Sequence, residues 1–237
     1  MTMGRRLLPA LAAIVCLLAG PALAELSAGE RAYITGDFAA ARQAFEAAAK
    51  DGDPEAQTRL AVLYLRGEGV NKNPETAAGL LRTAAKAGYP PAIMNLAKMY
   101  YHGIGVPRDK ALAADWYGKA AAMEEPVAMH SLAILNLKGD GIPQDIERGV
   151  ALTRRAAEIG FLDSMYQLGQ FYENGLGVEK DLTQAYYWYF IATQRRFLPA
   201  EGAMHAVGER LDPETTMDIE RRASAFEPKS RKLPAKQ

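Results

Sequence analysis

Cysteine is almost missing from this chain: among 237 residues only Cys16 carries a thiol, and there are three histidines. A disulfide framework is therefore excluded. His102, His130 and His205 lie far apart and none has the H-x-x-x-H spacing of a metal site, so no metal and no cofactor is expected. An excess of one charge is also missing, with 28 basic and 28 acidic residues. That balance lacks the basic stripe a nucleic-acid binder needs. Serines are few; none sits in a G-x-S-x-G elbow, and no S-x-x-K occurs. The residues offer no catalytic constellation, and the chain is not expected to be an enzyme.

Only the first 24 residues hold a sustained apolar run. Arg5 and Arg6 precede Leu7 to Leu18, and Ala22-Leu23-Ala24 is a small-residue cleavage signal ahead of Glu25. This reads as a secretory signal peptide over residues 1–24, too short for a good transmembrane span. Val15, before Cys16, is bulkier than the small residue a lipobox needs. Cleavage removes the sole cysteine together with Arg5 and Arg6, leaving two more acidic than basic residues. Export without disulfides suits a bacterial periplasm, so a periplasmic or secreted protein is expected, without stable membrane insertion.

What the chain does have is repetition. Residues 54–89 read PEAQTRLAVLYLRGEGVNKNPETAAGLLRTAAKAGY, and the frame returns at 90–125, 126–161 and 162–197 without insertion or deletion. A fixed period of this size means stacked units rather than a globule with one centre. In each unit Leu60, Leu96, Leu132 or Leu168 is followed by Ala61, Ala97, Ala133 or Gly169. Ala56, Ala92, Ala128 and Ser164 lie four residues earlier, and Tyr64, Tyr100 and Tyr172 four later, with Asn136 as the departure. That spacing is one buried face of a first helix. Paired glycines follow (Gly67 and Gly69, Gly103 and Gly105, Gly139 and Gly141, Gly175 and Gly177), the first suited to a left-handed helix end. The apolar Val70, Val106, Ile142 or Val178 after each pair is expected to fold back on the core.

The second helix opens at Asn73, Asp109, Asp145 or Asp181, all good N-caps, and Asp181 with Gln184 has a capping-box pattern. Ala77, Ala113 and Ala185, then Leu80, Trp116, Leu152 and Trp188, then Ala84, Ala120, Ala156 and Ala192 are its packing columns, so both tryptophans are expected in the core. Residues 25–53 read as a shorter capping pair, with Ala41, Phe45, Ala48 and Ala49 one period before Ala77, Leu81, Ala84 and Ala85. A closing pair spans residues 198–226, with Asp212 and Pro213 opening its last helix. Residues 227–237, basic and proline-containing, are expected to be a disordered tail.

The pattern A-x-x-x-L-A/G-x-x-Y-x-x-G-x-G-V-x-x-D-x-x-x-A-x-x-W-x-x-x-A-A resembles the Sel1-like repeat, a relative of the tetratricopeptide repeat. The resemblance covers residues 54–197. It departs at Asn136, at Gly149 in place of alanine, and at Glu124 and Arg196 in place of the glycine ending the second helix. It implies an all-α fold, a right-handed αα-superhelix of helix pairs that serves as adaptor or scaffold. By the same analogy a concave partner-binding wall carries Thr58, Val62 and Leu65, then Met94, Lys98 and Tyr101, then His130, Ile134 and Leu137, then Tyr166, Gln170 and Glu173. Apolar residues at such positions mark a partner site, here for a protein engaged as a helix or extended segment. Exported relatives that restrain a sensor kinase suggest a regulatory role by analogy. Two alternatives stand beside it. One is β-lactam binding or hydrolysis, as linked to cysteine-rich relatives; the other is an envelope organiser touching anionic lipid through its basic tail.

Overall fold

The computed structural model describes residues 27–231, so the expected signal peptide and residues 232–237 lie outside the described residues. Twelve helices and no strands occur among the described residues. They are α1 (Ala28–Ile34), α2 (Phe38–Lys50), α3 (Pro54–Arg66), α4 (Pro74–Lys86), α5 (Pro90–His102), α6 (Lys110–Ala122), α7 (Pro126–Lys138), α8 (Ile146–Glu158), α9 (Leu162–Asn174), α10 (Leu182–Gln194), α11 (Pro199–Gly208) and α12 (Pro213–Ser224). The fold is an all-α solenoid of helix pairs. It divides into two compact units, the first ending at Ala84 and the second beginning at Ala85, within the last turn of α4.

The local signals act as their chemistry requires. Asp109, Asp145 and Asp181 cap α6, α8 and α10 by accepting backbone N–H bonds, and Asn73 accepts from the Thr76 N–H at 2.9 Å. Each cap satisfies a donor that the helix itself leaves unpaired. The reciprocal capping box forms at Ser27 and Glu30, whereas Asp181 takes the N–H groups of Thr183 and Gln184. Helices α3, α5, α7 and α9 all end on a glycine in the left-handed region, Gly67, Gly103, Gly139 and Gly175.

In the first unit Ala41, Phe45, Ala56, Leu60 and Leu63 form the core, with Ala48, Ala49 and Val70 packed against it. The second unit holds a larger core drawn from α8 to α12, including Met165, Leu168, Phe171, Trp188, Tyr189 and Ile191. Trp188 is 8% exposed, as its packing column predicts. Trp116, in the same column two repeats earlier, is only half-buried.

Two departures from the repeat have local compensations, and two keep the backbone of the residue they replace. Asn136 is buried where tyrosine recurs, and its Nδ2 donates to the Leu132 carbonyl at 2.8 Å, so its amide is satisfied within its own helix. Gly149 makes room for Leu137: a Cβ there would lie 2.6 Å from Leu137 Cγ. Glu124 and Arg196 adopt the left-handed conformation of the glycines they replace, at φ 56° and 63°.

Residues 227–231, expected to be a solvated tail, are instead pinned to the second unit. The Lys229 N–H donates to the Glu158 carbonyl at 2.9 Å. Arg231 pairs with Glu125 at 2.9 Å. Turns between repeats expose acidic groups and helix-end carbonyls, which a basic segment satisfies.

Candidate docking face

In the second unit the first helix of each repeat is α5, α7 or α9. Positions two before, two after and five after Leu96, Leu132 and Leu168 are spaced by four and three residues, so they share one helix face. The leucines and their small neighbours are buried on the opposite side. The face is therefore what remains once the stack has formed.

On it, Met94, Tyr101, Ile134 and Tyr166 are half-buried, while Lys98 and Gln170 are exposed. Tyr166 also packs against the core of the second unit. Leu137 is drawn into the core of the second unit over Gly149. Glu173 is occupied within the chain, accepting from the Tyr189 hydroxyl at 2.9 Å and pairing with Arg210 at 3.3 Å. In the first unit Val62 and Leu65 are half-buried. Thr58 corrects the expectation: it is 6% exposed, and its hydroxyl donates to the Pro54 carbonyl at 2.8 Å. A threonine in a helix folds its hydroxyl back on the preceding turn, which removes it from a docking surface.

The face is fixed by ties between consecutive repeats. The Tyr101 hydroxyl donates to Asp140 Oδ2 at 3.2 Å, Lys110 forms an ion pair with the same carboxylate, and the Lys110 ammonium lies 5.4 Å from the Tyr101 ring centroid. Lys110 and Tyr101 hold the Asp140 carboxyl below the usual carboxylate range through hydrogen bonds. Asp140 and Lys110 are site residues that the repeat pattern hides, because both positions lie off its recurring columns. His130 Nδ1 is 3.1 Å from the buried Ser164 Oγ, and its ring meets Phe161 edge-on at 5.3 Å. Burial pushes His130 below the ordinary histidine range, opposed by the Asp163 carboxylate. Tyr166 packs between Tyr189 and Phe197, with centroids 5.6 and 5.9 Å away.

Among the described residues no group of three or more His, Cys, Asp or Glu side chains could hold a metal ion. No described helix is long and apolar enough to cross a membrane.

The model of the Sel1 repeat matches residues 54–89, 90–124, 126–161 and 162–195, more than half of the chain. The chain belongs to the Sel1 repeat family. A Sel1 repeat protein from Oxalobacter formigenes superposes with a TM-score of 0.72 at 26% identity, covering 84% of each chain. A protective antigen present in uropathogenic Escherichia coli strains, displaying an SLR fold, gives a TM-score of 0.46 at 20% identity, over 85% of this chain and 68% of its own. An immunity protein from Pseudomonas aeruginosa gives 0.43 at 21% identity, over 98% and 86%. No curated protein matches the chain. Sel1 repeats mediate protein interactions, and Sel1 repeat proteins are generally non-catalytic scaffolds.

Proposed function

We propose that this Sel1 repeat protein is an exported scaffold that docks a partner protein on the α5, α7 and α9 face, as a helix or an extended segment. The observation that carries the reading is register. Met94 and Tyr166 stand half-buried at the −2 position of α5 and α9 and Ile134 at the +2 position of α7, all on one helix face, with Lys98 and Gln170 exposed beside them. Apolar side chains repeated along a fixed scaffold, with polar neighbours, are the make-up of a partner site. The ties at Asp140 and Ser164 add preorganisation, so little order has to be gained on binding. The export reading rests on residues 1–24, and it places the partner in the periplasm or envelope, where regulation of a signalling protein is the role in view.

The test is a pair of substitutions that change the face without opening the core. Met94→Lys and Ile134→Lys keep good helix formers whose stems cover apolar surface while the ammonium reaches water. The double variant is expected to melt within a few degrees of the parent and to lose partner capture from a periplasmic extract. Undiminished capture would refute the face. Export is checked separately: the protein recovered from the periplasm should begin at Glu25.

A further inference from the structure

The second unit holds two related surfaces, one at Trp116 and one at Trp188, and among the described residues the chain's own end covers the one at Trp188. Trp116 and Trp188 occupy the same repeat column, and Gly88 and Gly160 stand in the same turn beside them. At Trp188 the surface is covered by the chain's own end. The Phe226 ring meets the indole edge-on at 5.8 Å, Arg195 lies 5.1 Å from the Phe226 ring centroid, and its guanidinium donates to the Phe226 carbonyl at 3.4 Å. Pro228 lies over Gly160, so close that a Cβ on the glycine would be 3.3 Å from the proline ring. The Lys229 N–H donates to the Glu158 carbonyl, and its ammonium pairs with the Glu158 carboxylate at 2.8 Å. The occupant is thus an extended aromatic-x-Pro-Lys segment.

At Trp116 the equivalent surface is a cavity of about 560 Å³ lined by Gly88, Ile93, Met123 and the indole, with Lys86 and Lys119 at its margin. Lys119 Nζ is 3.7 Å from the Trp116 ring centroid. The repeat between the two copies offers no third. There the column carries Leu152, and Glu124 replaces the glycine and is paired with Arg155 at 2.6 Å.

Equivalent columns of a stacked repeat present equivalent surfaces to a chain running along them. We propose that the Trp116 cavity is a second peptide site, which takes an extended partner segment with an aromatic residue two before a proline and an acidic residue after it. The aromatic side chain rests on the Trp116 ring and the proline on Gly88, as Phe226 and Pro228 do on Trp188 and Gly160. The acidic residue follows from charge: where Glu158 receives Lys229, this copy has Lys86, and Lys119 stands where the filled copy has Ile191. The same charges disfavour residues 232–237, which carry Lys232 and Lys236 and no carboxylate side chain.

Fluorescence anisotropy of labelled decapeptides containing Phe-Ser-Pro-Glu or Phe-Ser-Pro-Lys, titrated with the full chain, tests this. The acidic peptide should bind at least about tenfold more tightly than the basic one. Trp116→Leu places at 116 the residue that column already holds at 152, so the helices should remain intact by circular dichroism while binding falls about tenfold or more. Lys86→Glu should invert the preference and favour the lysine peptide. Binding that survives Trp116→Leu, a preference for the basic peptide in the parent, or no binding of either peptide up to about 1 mM overturns the proposal. So does a chain truncated after Arg231 that binds when the full chain does not, because its own end would then be the occupant.

Discussion

Single positions in this protein report how tightly the repeats fit. Gly169 stands where alanine recurs, and a Cβ there would lie 2.5 Å from Tyr189 Cε1. The ring is wholly buried and its hydroxyl is tied to Glu173, so it cannot swing aside. Gly169→Ala is expected to cost about 1–3 kcal/mol by overpacking, despite restoring the repeat's own residue; thermal or urea unfolding measures it. Its hydroxyl is also held firmly neutral, because burial and the Glu173 carboxylate raise its pKa. Tyr186, buried and donating to Glu220, is pushed up to about 12. His130 titrates in the other direction. Burial lowers its folded pKa, so below about pH 6.5 the unfolded chain takes up a proton that the folded chain resists. Stability should therefore decline as pH falls through that window, and His130→Gln should flatten the decline in melting temperature between about pH 7 and 5. An unchanged slope would mean that the histidine is solvated in solution.

Helices and turns were the most legible level, and the reason is chemical. Asn73 and the aspartates at 109, 145 and 181 can be read directly, because a cap needs only one side-chain oxygen and a following N–H. Glycines at 67, 103, 139 and 175 likewise announce the left-handed helix end. Glu124 and Arg196 were legible as departures, yet the backbone keeps the left-handed geometry there, since the surrounding turn dictates it. Arg196 is exposed, so its strain has no evident compensation. Arg196→Gly should stabilise the protein by about 0.5–1 kcal/mol, the relief of a left-handed non-glycine residue less the added freedom of the unfolded chain. A lower melting temperature would show that the guanidinium matters more than the backbone. Long-range fit was not legible. Residues 227–231 look like a solvated tail by composition, and their partners, among them Glu125, Arg155 and Glu158, lie far away in the sequence. Trp116 and Trp188 share a column but not an environment, because Phe226 reaches only the second.

Within each unit the buried residues join one hairpin to the next, and in the second unit Met94, Ile134 and Tyr166 on one face of the first helices remain half-buried. The spacing of that face could be read from the repeat, but occupancy could not: Thr58 folds back on its own helix, Leu137 sinks over Gly149, and Glu173 is claimed by Tyr189 and Arg210. What survives is centred on Ile134, between Met94 and Tyr166. The most direct measurement is photo-crosslinking in living cells, with a benzophenone amino acid at Ile134 and, as control, at Glu147, an exposed position in the first turn of α8. A discrete adduct with one protein from position 134, absent from 147 and lost in the Met94→Lys background, is the expected result. Equal adducts from both positions, or none from 134, would contradict the docking face.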